Sequence, residues 1–180
     1  VEYFFGEHAD KPHDTRSASK TILPVVLGAA MHAGFKVSPE TPVYATLGAA
    51  SAALEPRKRD MKLRHPLTMA SGLDCDDNGD TRPGNEDVLT EQDTNPDWTG
   101  MVLELKTLRD PGEKAVYCSI NSFLGGEVVR RATGRWIPEL LWDLAGQPLE
   151  MQGYSIQLSP LGEGYLGGGA YFRPRDFMKL

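Results

Sequence analysis

Cysteine, unbroken apolar runs and excess positive charge are all scarce in this sequence, and each absence excludes a class of protein. Only 2 cysteines occur among 180 residues, too few for a disulfide scaffold or a cysteine zinc cluster. They are Cys75 and Cys118, and the sequence leaves open whether they are bonded to each other or free. The 4 histidines do not have the spacing of metal ligands, so we expect no metal site.

Membrane spans and nucleic-acid binding are also disfavoured. The longest apolar run, residues 21–35, is interrupted by proline, glycine and histidine and falls short of the ~20 residues that a membrane span needs. The sequence has 19 basic and 25 acidic residues, and the resulting formal charge of -6 repels polyanions. We therefore expect neither a membrane span nor a nucleic-acid partner, while the compartment and the oligomeric state stay open.

The residues that are present describe a soluble globular domain. Apolar residues make up 40% and charged residues 24% of the chain, and a chain of this length can bury a sizeable core. Apolar spacing and glycine stops predict helices over 17–33, 57–71, 96–108, 122–132 and 137–145. Strands are predicted at 1–6, 154–158 and 164–172, and an acidic loop over 73–97. The first helix has no polar stripe and is predicted to be buried nearly all round.

The sharpest local pattern is the tetrad from Ser17 to Lys20, an S-x-x-K motif at the start of an apolar helix. Residues three apart share a helix face, so the Lys20 amine can reach the Ser17 hydroxyl. Serine needs such an adjacent base to become a nucleophile, and the helix N-terminus can stabilise an oxyanion. The alternative is a Ser17 helix cap with a solvated Lys20, because so short a motif also occurs by chance.

Four segments together support the catalytic interpretation. In order and spacing they resemble the family of class C β-lactamases, DD-peptidases, related esterases and 6-aminohexanoate-dimer hydrolases. The segments are DTRSASKTILPVVLGAAMHAGFKVSPETPV, RHPLTMASGLD, DPGEKAVYCSINSFLGGEVVRRATG and LGGGAYFRPRDFMKL. The resemblance covers almost the whole chain.

The resemblance implies a role for each candidate site residue. Ser17 is the acylated nucleophile, Lys20 is its activating partner, and Tyr117 exchanges protons with the nucleophile and the leaving group. The tyrosine element is Tyr117-Cys118-Ser119. Ser119 takes its polar third place and is expected to bind substrate. It stands where lactamases usually have Asn, and this difference favours an esterase or amide hydrolase over a lactamase. Whether Lys20 or Tyr117 is the acylation base stays open.

The resemblance also implies the fold and the reaction. We expect one incomplete α+β domain of the β-lactamase/transpeptidase-like type, truncated at both ends. A mainly helical portion, about 17–150, lies beside part of an antiparallel sheet formed by 1–16 and about 152–172. A Lys- or His-x-Gly strand is expected beyond Leu180, and the resemblance favours a bacterial extracytoplasmic location.

The expected reaction is acyl transfer from an ester, amide or lactam through an acyl-enzyme on Ser17, with no cofactor. The expected partner is a small-molecule or peptide-like acyl substrate. Within enzymes, a β-lactamase or DD-peptidase is the alternative. A non-catalytic member or inactive fragment that binds acylated or peptidic ligands is the alternative from another class.

The acidic loop contains a second short motif. Asp74, Asp76, Asn78 and Asp80 match the opening of a calcium-binding EF-hand loop, but Asn85 occupies the twelfth position, where a bidentate Glu is required. We therefore expect a solvated lid and no metal. A bond between the two cysteines would tether this loop over Tyr117.

Overall fold

The structure, a computed structural model, describes residues 6–49, 54–79 and 81–180. Within these ranges, helices pack beside a small antiparallel sheet, as the α+β prediction requires. The strand predicted over 1–6 lies, apart from Gly6, outside the described residues. None of the helices in the described part of the chain has both the length and the apolar character that a membrane crossing requires.

The secondary structure elements are mostly short. In the described ranges the α-helices are α1 (Ile22–His32), α2 (Val43–Thr46), α3 (Pro56–Asp60), α4 (Arg64–Leu67), α5 (Glu86–Thr90), α6 (Trp98–Glu104), α7 (Ile120–Thr133), α8 (Ile137–Leu141) and α9 (Pro174–Phe177). A 3-10 helix spans Arg16–Thr21 and a π-helix spans Trp142–Gly146. The strands are β1 (His13–Asp14), β2 (Tyr154–Ile156) and β3 (Ala170–Phe172).

The sheet places the segment that carries Ser17. Its strand order is β1-β3-β2, and both pairings are antiparallel. Just after β1, the backbone N–H and the hydroxyl of Thr15 both donate to the Ala170 carbonyl of β3, each at 2.8 Å. The chain that enters the tetrad is therefore bound to the middle strand of the sheet.

The predicted helix over 17–33 is two helices. Its first part is the 3-10 helix, in which the hydroxyls of Ser19 and Thr21 donate at 2.7 Å to carbonyls three residues earlier. Such side-chain bonds compete with α-helical backbone bonds, so the α-helix begins only at Ile22. Pro24 lies in the first turn of α1, where backbone N–H groups have no hydrogen-bond partner within the helix. The missing N–H of proline therefore costs no helical hydrogen bond there.

The prediction that this helix is buried nearly all round is wrong. One face of α1 is buried, at the spacing of three and four residues typical of an amphipathic helix. The opposite face is exposed, and Met31 retains 44% of its accessible surface. The buried positions are Ile22, Leu23, Val26, Leu27 and Ala30.

Helix α7 is the central element of the core. It begins two residues before the predicted 122–132 segment and ends at Gly134, whose left-handed φ of 67° suits a glycine. Ten of its residues, Ile120 to Val129, are buried, including both Gly125 and Gly126. Gly125 lets Leu23 of α1 approach closely, whereas Gly126 faces Leu166.

The predicted helix over 57–71 is interrupted. It splits into α3 and α4 because Met61 adopts an extended conformation with ψ 123°. This break carries the Met61 and Leu63 side chains into the core, where both are fully buried. Burial of two apolar side chains outweighs continued helical bonding there.

The acidic segment 73–97 is more ordered than a solvated loop. Helix α5 lies within it, capped by Asn85, whose side-chain oxygen accepts the Asp87 N–H at 2.9 Å. Cys75 is joined to Cys118 by a disulfide, with a Cα–Cα distance of 5.8 Å. Of the two possibilities that the sequence left open, a disulfide or free thiols, the structure has the disulfide.

Candidate active site

Ser17 and Lys20 lie one above the other on the 3-10 helix. With three residues per turn, side chains at positions i and i+3 of such a helix eclipse each other. The Lys20 ammonium donates to Ser17 Oγ at 3.0 Å. Ser17 is exposed and Lys20 is half-buried, so the hydroxyl is accessible to a ligand.

Two further groups surround the Lys20 amine. Its Nζ donates to the Gly167 carbonyl at 2.5 Å and lies 4.9 Å from the centroid of the Tyr117 ring. A cation over an aromatic face is attracted by the ring quadrupole. Tyr117, which is far from the other two in sequence, is therefore adjacent in space to Ser17 and Lys20.

The glycine run at 167–169 makes the carbonyl contact sterically feasible. A Cβ atom at Gly167 would collide with the ring of Tyr165. Only glycine lets the backbone pass this ring and present its carbonyl to Lys20. The sequence indicates a close backbone approach here, but not that Lys20 is the partner.

The residue before the serine has an unusual backbone conformation. Arg16 has a φ of 49°, in the left-handed region that side-chain-bearing residues rarely adopt. Asp14 stabilises it by accepting the Arg16 backbone N–H at 2.9 Å and its Nε at 3.0 Å. Strained residues of this kind occur disproportionately at functional sites.

A polar cleft of about 350 Å³ opens beside Ser17. One wall is the N-terminal end of α5, where Glu86 accepts a hydrogen bond from the Tyr165 hydroxyl at 3.0 Å. Burial, and then the Glu86 carboxylate, raise the pKa of Tyr165 well above its usual value, so its hydroxyl stays a donor. The lining residues are Asp14, Arg16, Ser17, Glu86, Asp87, Thr90, Gln157, Tyr165 and Gly167 to Gly169.

The tyrosine element has an exposed end and a buried end. Tyr117 retains 43% of its accessible surface, whereas Ser119 is fully buried. The Ser119 hydroxyl donates to Asp77 Oδ2 at 2.7 Å. This placement gives Ser119, which was expected to bind substrate, a partner inside the protein instead.

Asp77 is a residue of this site that the sequence did not single out. Its carboxylate lies against the tyrosine element, and its pKa is raised by burial, an effect that the Ser119 hydrogen bonds partly offset. Acidic residues are so frequent in segment 73–97 that nothing marked this one. To find Asp77 from the sequence, one would need to know that it contacts Ser119, which lies 42 residues further along the chain.

No metal site accompanies these residues in the ranges that the structure describes. No group of three or more His, Cys, Asp and Glu side chains there is arranged to hold an ion. Asp80, part of the calcium-like motif, lies outside the described residues.

Comparison with known proteins identifies the family. The sequence model of the beta-lactamase family matches residues 6–178. The chain belongs to the beta-lactamase family. The resemblance inferred from the four sequence segments is thereby confirmed, while no functionally curated protein matched the sequence.

Solved structures of beta-lactamase relatives have the same fold. A beta-lactamase/D-alanine carboxypeptidase from Yersinia pestis is 22% identical with a TM-score of 0.70, over 96% of this chain and 53% of that one. A penicillin binding protein from Bacillus halodurans is 22% identical with a TM-score of 0.73, over 97% and 60%. A D-amino acid amidase from Ochrobactrum anthropi is 16% identical with a TM-score of 0.67, over 97% and 56%.

These likenesses confirm the predicted β-lactamase/transpeptidase-like fold. The chain spans little more than half the length of the solved structures, between 53% and 60% of the three above.

Proposed function

We propose that this beta-lactamase family member is a serine hydrolase that forms an acyl-enzyme on Ser17 from an ester, amide or lactam. The observation that carries the proposal is the position of the Lys20 amine. It lies 3.0 Å from the Ser17 hydroxyl and 4.9 Å from the centroid of the Tyr117 ring, and Ser17 itself lines an open cleft. A hydroxyl, a base and a second proton carrier within reach of each other are the requirements of nucleophilic catalysis.

The proposed reaction has two steps. Ser17 Oγ attacks the carbonyl carbon while its proton passes to Lys20 or Tyr117, and the leaving group departs with a proton from the same pair. Water then attacks the acyl carbon and gives a proton to the pair, the bond between the acyl carbon and Ser17 Oγ breaks, Oγ takes that proton back, and the carboxylic acid leaves. The steps draw on side chains and water alone.

The acyl substrate is proposed as small or peptide-like. The matched structures are by name a beta-lactamase/D-alanine carboxypeptidase, a penicillin binding protein and a D-amino acid amidase. A lactam, a peptide and a simple amide all contain an acyl carbon that a serine hydroxyl can attack. Ser119 has a hydroxyl in place of a side-chain amide, and this hydroxyl bonds to Asp77 inside the protein, so no amide is present there to bind a lactam substituent, which favours esters and simple amides.

Covalent labelling tests the nucleophile. We expect the full-length protein, treated with a fluorophosphonate, to gain the mass of one adduct by intact-mass spectrometry, since such reagents trap activated serines. Ser17→Ala should gain none. Ser155→Ala, which changes another exposed serine on β2, should label like the wild type.

Two results would contradict this proposal. An unlabelled wild type that binds penicillin or a peptide reversibly would favour the non-catalytic, ligand-binding alternative. An adduct that persists in Ser17→Ala would place the nucleophile elsewhere.

A further inference from the structure

The position of the Tyr117 ring depends on the backbone that carries it. In the part of the chain that the structure describes, no group hydrogen-bonds the Tyr117 hydroxyl, and the side chain is 43% exposed. The Lys20 amine lies 4.9 Å from the ring centroid, and the attraction between this cation and the ring is modest. The groups that hold residues 116–119 therefore decide where this ring lies.

Asp77 contacts that segment at two points, one on each side of Cys118. The Asp77 backbone N–H donates to the Tyr117 carbonyl at 3.0 Å. Its Oδ2 accepts both the backbone N–H and the hydroxyl of Ser119, each at 2.7 Å. Hydrogen bonds to a carboxylate are about twice as strong as neutral ones, and these are partly shielded from water.

The second oxygen of the same carboxylate reaches the cleft wall. Asp77 Oδ1 accepts the backbone N–H of Glu86 at 3.1 Å. Glu86 begins α5 and accepts the Tyr165 hydroxyl, so it faces the cleft that contains Ser17. A single carboxylate thus ties the tyrosine element to the wall opposite the nucleophile.

We propose that Asp77 is a positioning residue that fixes Tyr117 over the Lys20 amine, and that it acts on acyl transfer only through Tyr117. The inference deepens the proposed function and rests on it. Asp77 itself does not line the cleft. Ser119 serves in the same link, as the donor that connects the carboxylate to the tyrosine element.

The test compares acylation rates in variants of the full-length protein with a nitrophenyl ester. Asp77→Ala should lower the rate constant of acylation about 10- to 100-fold and change KM little, since a misplacement of about 1 Å can cost 10²-fold. Asp77→Asn keeps one oxygen for the Ser119 donors and should recover part of the loss. Asp76→Asn is the matched control and should act as wild type, since among the described residues the Asp76 carboxylate accepts only the nearby Asn78 N–H.

A double-mutant cycle shows whether Asp77 acts through Tyr117. In a Tyr117→Phe background, Asp77→Ala should cause no further loss beyond about twofold, because groups that act as a unit are non-additive. Additive losses, or a loss confined to KM, would overturn the proposal.

A spectroscopic measurement keeps the inference testable apart from catalysis. In ¹³C-tyrosine NMR, the Tyr117 resonance, assigned with Tyr117→Phe, should move in Asp77→Asn and not in Asp76→Asn. An unmoved resonance would refute the positioning role. If wild-type Ser17 takes no acyl group, the proposed function fails, and this resonance alone then decides whether Asp77 holds Tyr117.

Discussion

At the scale of single residues, the Lys20 amine is the point where the site is assembled. It contacts Ser17, the Gly167 carbonyl and the Tyr117 ring, which come from three separate parts of the chain. Two of these contacts are hydrogen bonds that the amine donates. A deprotonated Lys20 amine in this position would be within reach of the Ser17 proton, over the same 3.0 Å and without any change of chain conformation.

Replacement of this amine should stop acylation without unfolding the protein. We expect Lys20→Met to lower the rate of fluorophosphonate labelling about 10²- to 10⁴-fold, the usual range for loss of a general base. Lys62→Met is the control, because Lys62 pairs with Glu40 on the surface at 2.7 Å, where ion pairs contribute little. Equal labelling of both variants would contradict the role of Lys20.

At the scale of elements, α7 carries two adjacent buried glycines that face different neighbours, and only Gly125 faces α1. A Cβ at Gly125 would lie 2.5 Å from Leu23 Cδ2 of α1, whereas a Cβ at Gly126 would lie 3.4 Å from Leu166 Cδ1. A methyl group at position 125 would therefore clash with Leu23, whereas a methyl group at position 126 fits at an ordinary contact distance.

The two glycines should therefore respond oppositely to alanine. Gly125→Ala should lower the free energy of unfolding by about 1–3 kcal/mol through overpacking. Gly126→Ala should raise it by about 0.5–1 kcal/mol, because alanine has the higher helix propensity. Urea denaturation measures both, and an equal effect of the two changes would refute the packing described for α1 and α7.

Sequence patterns predicted these elements to the extent that the relevant interactions are local. The glycine stop after α7 and the apolar spacing of α1 are local signals, so both helices were predicted near their true places. The break at Met61 was missed because it depends on burial against distant residues. The 3-10 helix at Ser17 was missed because hydroxyl-to-carbonyl bonds look, in sequence, like ordinary helix residues.

The site itself divides in the same way. The pair Ser17 and Lys20 follows from a spacing of three, and Tyr117 from its order in the family pattern. The Gly167 carbonyl lies 147 residues from Lys20, and Asp77 lies 42 residues from Ser119, so no sequence spacing pointed to either contact. Both arise from the tertiary fold.

At the scale of the whole molecule, the Cys75–Cys118 disulfide joins the acidic segment to the residue after Tyr117. The bond spans 43 residues of sequence. It reinforces the link that Asp77 makes between the same two regions, so the site is closed by one covalent and several hydrogen-bonded connections.

Reduction of this bond should destabilise the protein. We expect dithiothreitol, or the double change Cys75→Ser with Cys118→Ser, to lower the free energy of unfolding by about 2–4 kcal/mol, chiefly by freeing the unfolded chain. Denaturant curves with and without reductant measure this difference. Coincident curves would contradict a bonded pair.

The most direct test of the account is the capture of its covalent intermediate. The full-length protein is mixed with a nitrophenyl ester, quenched in acid during turnover, digested and sequenced by tandem mass spectrometry. The account predicts one acyl group, on the hydroxyl of Ser17. An acyl group on a different residue, or turnover that continues unchanged in Ser17→Ala, would contradict it.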